Sequence, residues 1–201
     1  MHAVKVAGRS RIGGAWSLVD QHGHALSAAS LHGRYVLLYF GFTFCPDVCP
    51  IELKKLATIV DALDAALGAE GAARVQPLFV SLDPWRDSVE QLGAYTAQFH
   101  PRLLGATGTP QQCDAVARMF RVYTSSDRAS ATVDAAADDY TVDHSIFIYL
   151  LDTEGRFVDF YGVNKERDQI VAAVLAHMEE RGHYRAPLLT RLTRLVRGAD
   201  D

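Results

Sequence analysis

Long apolar runs are missing from this chain. None reaches the ~18 residues that a membrane-crossing helix needs, and the clearest, Tyr35 to Phe40, is only strand-sized. Charge of one sign is not in excess either: 20 Lys and Arg stand against 24 Asp and Glu. A mixed, slightly acidic surface excludes the nucleic-acid backbone as the expected partner. Cysteine is scarce, three in 201 residues, which excludes a disulfide scaffold. Two of the three, Cys45 and Cys49, are nonetheless only four apart. The start, Met1 to Arg11, has no apolar stretch of signal-peptide type. It is expected either that the protein is cytoplasmic or that an export segment or anchor lies outside this sequence.

What is present gathers around Gly41-Phe42-Thr43-Phe44-Cys45-Pro46-Asp47-Val48-Cys49-Pro50. The run Tyr35–Phe40 leads into it and reads as a strand buried on both faces. An amphipathic helix leads out, with Leu53, Leu56, Val60, Leu63 and Leu67 at spacings of three and four and Gly68 closing it. Pro50 belongs in a first helical turn, so Cys49 falls at the helix start and Cys45 in the loop before it. The helix N-terminus is expected to favour thiolate there.

Elsewhere, Gly13 to Arg34 reads as short strands and turns, and its histidines, His22, His24 and His32, as solvated loop residues. Val75–Leu82 is a second buried strand, followed by Asp83-Pro84-Trp85-Arg86-Asp87 and a helix facing inward with Val89, Leu92, Tyr95 and Phe99. Asp87 and Glu90 read as that helix's start signal. Thr109, Pro110 and Gln112 open a short helix whose apolar face carries Cys113, a buried and inert thiol. Ser125–Asp139 is polar and Ala-rich and reads as a loop. A third apolar strand, Ser145–Leu151, turns through Asp152-Thr153-Glu154-Gly155 into Arg156–Tyr161. A last core helix shows Ile170, Val171, Val174, Leu175 and Met178. Strands alternating with helices, then a hairpin and a helix, give an α/β fold with a central mixed sheet flanked by helices. The tail carries Leu188, Leu192, Leu195 and Val196 on one side with Arg191, Arg194 and Arg197 interleaved. Such a basic amphipathic stretch fits a membrane surface, a partner or the domain's own surface.

A cysteine pair at i,i+4 around a helix start can aim both sulfurs at one centre, or close into a disulfide. Two thiolates make a soft, low-coordinate site suited to Cu(I), with zinc as the harder alternative. A third ligand must come from elsewhere, and His144, in Val142-Asp143-His144-Ser145 before the third strand, is the candidate.

These segments together resemble the Sco/SenC (PrrC-like) copper-chaperone family. The resemblance lies in Tyr39–Pro50, in Ser81-Leu82-Asp83-Pro84-Trp85-Arg86-Asp87, and in Tyr140–Ser145 followed by Tyr149-Leu150-Leu151-Asp152. The upstream Gly13–Asp20 is similar too, and the likeness spans Gly13 to Met178. It implies a thioredoxin-like fold with an N-terminal β-hairpin extension. It implies copper, Cu(I) or Cu(II), held by Cys45, Cys49 and His144. It also implies delivery to the dinuclear copper site of a respiratory cytochrome oxidase, whose copper-site subunit is then a partner beside other copper carriers or thiol reductants. Family members are typically anchored by an N-terminal helix, which gives an expected location on the periplasmic side of the inner membrane, with the cytoplasm as alternative if the chain is full length. The expected division is an N-terminal segment over 1–12, a copper-binding domain over 13–182 and the basic tail over 183–201.

Asp83, Arg86, Asp87 and Asp143 are candidate supporting groups around the ligands. A salt-bridged turn capping a helix accounts equally for the first three, and an exposed loop carboxylate for Asp143. A metallochaperone turns nothing over. The alternatives are a thiol–disulfide oxidoreductase acting on the cysteines of a copper-accepting partner, and a redox or copper sensor. Proteins resembling thioredoxin place a proline opposite their thiols, whereas this chain has none between Pro110 and Pro187, which weighs toward metal binding.

Overall fold

The computed structural model describes residues 12–124 and 142–185. Along these the chain forms β1 (Ser17–Asp20), β2 (Ala25–Ser27), β3 (Tyr35–Gly41), α1 (Val48–Ala72) and β4 (Val75–Ser81). It continues through α2 (Val89–Thr96), β5 (Leu104–Thr107), α3 (Pro110–Met119), β6 (Phe147–Leu151), β7 (Phe157–Gly162) and α4 (Arg167–Glu180). The loop expected over 125–139 and the tail beyond Arg185 fall outside the described residues, as does the start, 1–11.

β3 lies inside the sheet between β4 and β6, and every one of its seven residues is buried. Strand geometry sends alternate side chains to opposite faces. Tyr35, Leu37 and Tyr39 therefore join one core with Leu53, Leu56, Val60 and Leu63 of α1 and Ile170, Val174 and Met178 of α4. Val36, Leu38 and Phe40 join the other, with Leu18, Val116 and Phe120. The seven strands run in the order β2-β1-β5-β4-β3-β6-β7. β3, β4 and β5 are parallel, while β6, β7 and the β1–β2 hairpin pair antiparallel. This is the mixed α/β sheet with an N-terminal hairpin that the residue pattern leads one to expect.

Local signals are honoured closely. Thr109 caps α3 by accepting from the Gln112 N–H, and the Gln112 side chain accepts from the Thr109 N–H, with Pro110 in the first turn. Thr109→Ala removes half of that exchange and is expected to lower unfolding stability by about 1 kcal/mol, read as a shift in urea midpoint. Gly68, at φ 71°, breaks the helical path of α1 where the periodicity ends. The turn after β6 is held by Asp152, whose Oδ1 accepts from the N–H groups of Glu154 and Arg156 and whose Oδ2 accepts from the Arg156 and Arg181 guanidinium groups.

β5 carries too weak a pattern to be expected from sequence, at four residues with Gly105 in the middle. That glycine is required by packing, since a Cβ there would come within 2.7 Å of Leu92 Cγ. Asp87 is a further correction. α2 is capped by Ser88, which accepts from the Gln91 N–H, so Asp87 is not the helix start.

Candidate metal centre

β3 ends at Gly41, the chain turns so that the Cys45 N–H donates to the Phe42 carbonyl at 3.2 Å, and α1 begins at Val48. Cys49 is thus the second residue of α1 and Pro50 sits in its first turn, as the proline requires. Both thiols are free and buried. They lie on the core face shared with Tyr39 and Leu53, whereas Cys113 is buried on the opposite side of the sheet, away from them.

His144 arrives from the segment before β6, where it bridges to Thr124. Its Nε2 stands 3.4 Å from Cys49 Sγ. Its Nδ1 is 3.0 Å from the Ser145 carbonyl. A carbonyl only accepts, so Nδ1 carries the proton and Nε2 faces the sulfur as a lone pair. Tyr39 and Phe42 present their faces or edges to the ring at centroid distances of 6.2 and 6.1 Å, both near perpendicular. Burial in this aromatic setting lowers the His144 pKa below its ordinary 6.5, against opposing effects of the Ser145 carbonyl and Asp143. The imidazole is neutral at pH 7.

The expectation of a thiolate at Cys49 does not hold. Burial pushes its pKa up to about 12, with Cys45 adding to the rise, although the Tyr39 hydroxyl and the Phe42 backbone pull the other way. The helix N-terminus is outweighed by loss of water.

A soft ion bonded to one thiolate at ~2.3 Å and one imidazole at ~2.0 Å, at a near-tetrahedral angle, separates sulfur and nitrogen by about 3.5 Å. The Cys49–His144 spacing matches that. Cys45 lies beside them in the loop, yet among the described residues no three His, Cys, Asp or Glu side chains form a ready metal-ligating group. Cys49 and His144 are therefore brought face to face, with Cys45 in the adjacent loop.

The supporting residues divide. Asp87 is fully buried and binds the loop itself: its Oδ1 accepts from the Thr43 hydroxyl at 2.7 Å, its Oδ2 from the Ser81 hydroxyl at 2.6 Å, and both face the Thr43 N–H at 3.2 Å. Asp83 accepts from Arg86 Nε at 2.6 Å, and the Arg86 guanidinium lies over Phe44 at 4.9 Å and Phe42 at 5.8 Å. The Asp83–Asp87 turn therefore grips the cysteine loop as well as preceding α2. Asp143 is exposed and reaches His144 only through space, the tautomer being set by the Ser145 carbonyl instead. Asp47, between the two thiols, faces solvent. Sequence reasoning overlooked Tyr39, whose hydroxyl donates to Cys49 Sγ at 3.6 Å. Within an apolar run only its polar tip distinguished it. Gly41 was also passed over: a Cβ there would sit 2.8 Å from Cys49 Sγ.

A model of the SCO1/SenC family matches residues 4–179. The chain belongs to the SCO1/SenC family. The Arabidopsis thaliana protein SCO1 homolog 1, mitochondrial, is 41% identical over 174 residues, covering 87% of this chain and 49% of that protein. The Bos taurus protein SCO2 homolog, mitochondrial, is 46% identical over 165 residues, covering 82% and 59%. The chain thus spans about half to three fifths of the length of the curated relatives it matches. Arabidopsis thaliana ScoI with copper bound superposes at a TM-score of 0.73 with 40% identity, over 84% of this chain and 99% of that one. BsSco, a member of the Sco family of cytochrome c oxidase assembly proteins, shares the fold at a TM-score of 0.61 and 22% identity, over 86% of this chain and 96% of that one.

The expected periplasmic location is overturned by these names, because both relatives are mitochondrial proteins. The motifs behind that expectation line the site and the sheet and carry no address, so they do not separate one compartment from another. No helix among the described residues is long and apolar enough to cross a membrane.

Proposed function

We propose that this domain is a metallochaperone that carries copper on Cys45, Cys49 and His144 and hands it to the dinuclear copper site of a respiratory cytochrome oxidase. The observation that carries this reading is the approach of a proton-free imidazole nitrogen to Cys49 Sγ at 3.4 Å. Copper bound in a solved relative at 40% identity supports the metal. The softness of a dithiol supports it over zinc. A small movement of the Cys45 loop would complete the ligand set.

Transfer follows from the unequal ligands. Thiolates of an acceptor displace His144 first, since a neutral imidazole is the weakest donor of the three for Cu(I), and the two sulfurs follow. Asp83, Arg86 and Asp87 hold the loop while the ligands exchange. The oxidase's copper-site subunit is the acceptor, and other copper carriers or thiol reductants load and reset the site. An exchange enzyme is not favoured. Disulfide attack needs an available thiolate, and burial at Cys49 opposes one.

Titrating the reduced protein with Cu(I) against a competing chelator tests the reading: one tightly bound ion per chain is expected, and none after the pair is oxidised. Binding must weaken with acid, because protons compete only for the empty ligands. Cys49 loses a proton on loading at neutral pH. At more acid pH, below the ordinary imidazole range because burial lowers its pKa, His144 also takes one up, so the loss should steepen there by about one proton per ion. Affinity independent of pH would contradict these ligands.

A further inference from the structure

We infer that the Tyr39 hydroxyl is a positioning group for Cys49, fixing where the sulfur points and weakening its electron donation. The inference deepens the copper-carrier reading and, for its metal arm, rests on it.

Tyr39 is a fully buried residue of β3, an interior strand of the sheet. An apolar ring is all that position needs for packing: it stacks on Phe79 at 6.3 Å and meets the His144 ring at 6.2 Å. Phenylalanine would do both. The added hydroxyl has one use, donation to Cys49 Sγ at 3.6 Å. Burying a hydroxyl without a partner costs free energy, so the sulfur is the group that makes this tyrosine acceptable in the core. The same sulfur is confined on its other side, where a Cβ on Gly41 would lie 2.8 Å from it and 3.0 Å from Tyr39 Cε1. Sγ is thus held between the strand backbone and the phenol, with the Phe42 backbone and Cys45 also against it, and it faces His144 Nε2. A donor on sulfur draws its lone pair away from whatever else it binds, and stabilises thiol or thiolate over disulfide sulfur, which is the poorer acceptor.

Tyr39→Phe in the full chain tests this with only an oxygen removed. The readout is the equilibrium of the Cys45–Cys49 pair with glutathione at pH 7. In that exchange the two thiols give up two electrons and two protons and form one S–S bond, while oxidised glutathione takes them and becomes two thiols. Losing the donor is expected to move the equilibrium toward the protein disulfide by about three- to tenfold, or roughly 15–30 mV at 29.6 mV per tenfold. Tyr149→Phe, whose ring lies in the opposite core, should stay within about twofold of the parent. Loaded with Cu(II), Tyr39→Phe should also shift the sulfur-to-copper charge-transfer absorption. An equilibrium unchanged in Tyr39→Phe, or moved as far in Tyr149→Phe, overturns the inference whatever copper does. If the parent protein takes up no copper, the carrier reading falls, and the glutathione equilibrium still decides Tyr39.

Discussion

Cys49→Ala is expected to abolish tight Cu(I) binding while leaving the domain folded. Zinc-finger sites of four ligands reach apparent affinities of about 10–16 kcal/mol, roughly 2.5–4 kcal/mol per ligand. Loss of one ligand should therefore weaken binding by at least about 10²–10³-fold, and more where a thiolate is half of a soft pair. Cys49 is the proposed ligand to remove first because it holds the pocket together. It receives Tyr39, faces His144 and fills the space beside Gly41. Its side chain is small, so alanine leaves a minor void costing about 1–2 kcal/mol of stability. Far-ultraviolet circular dichroism and a urea midpoint would confirm that the fold survives, and chelator competition would measure the metal. His144→Ala should bind more weakly than the parent but more tightly than Cys49→Ala, retaining both sulfurs. A Cys49→Ala protein with parental Cu(I) affinity would remove the site from this pocket.

The same pocket shows what could be read from the residues and what could not. Periodicity is a local signal, and it located β3, α1 and β4, the segments that bring the cysteine loop to the end of a buried strand. Capping chemistry is local too, and Thr109, Pro110 and Gln112 were legible for that reason. His144 is a candidate because a dithiol lacks a third donor, an argument from coordination chemistry, yet its distance from Cys49 is a property of the folded chain alone. The failures share a different cause. The helix start was visible at Cys49, but desolvation was not, and desolvation decides the pKa. Tyr39 looked like one more apolar residue in a strand, since a hydroxyl's partner is a property of the assembled core. Asp87 stands two residues before α2 and reads as its start signal, whereas Ser88 does that work and Asp87 turns inward to Thr43.

Asp87 is also where the second large effect is expected. Its carboxylate is fully buried and satisfies three donors, the Thr43 N–H, the Thr43 hydroxyl and the Ser81 hydroxyl. Asp87→Ala leaves all three facing a void, at about 1–3 kcal/mol for each group that cannot find water or another acceptor. Some relief exists, because the Thr43 Oγ1 still accepts from Gln91 Nε2 and the Ser81 Oγ still accepts from the Asp83 N–H. A net loss of about 3–4 kcal/mol follows, large beside the whole stability of a domain. Because Thr43 lies two residues before Cys45, copper affinity should fall in the same variant, although no ligand is touched. Asp87→Asn keeps the shape and one acceptor oxygen and should lose only about half as much. Its pH behaviour separates charge from shape. Burial raises the Asp87 pKa above 3.8, despite the Ser81 and Thr43 hydrogen bonds that lower it. The folded state therefore holds its proton more tightly than the unfolded one. Parental stability must then decline as pH rises from about 3.8 through the folded pKa, and Asp87→Asn must lack that decline. Urea unfolding of both proteins across this range measures it, and parallel curves would show that the carboxylate is not held in the dry, loop-gripping position assigned to it.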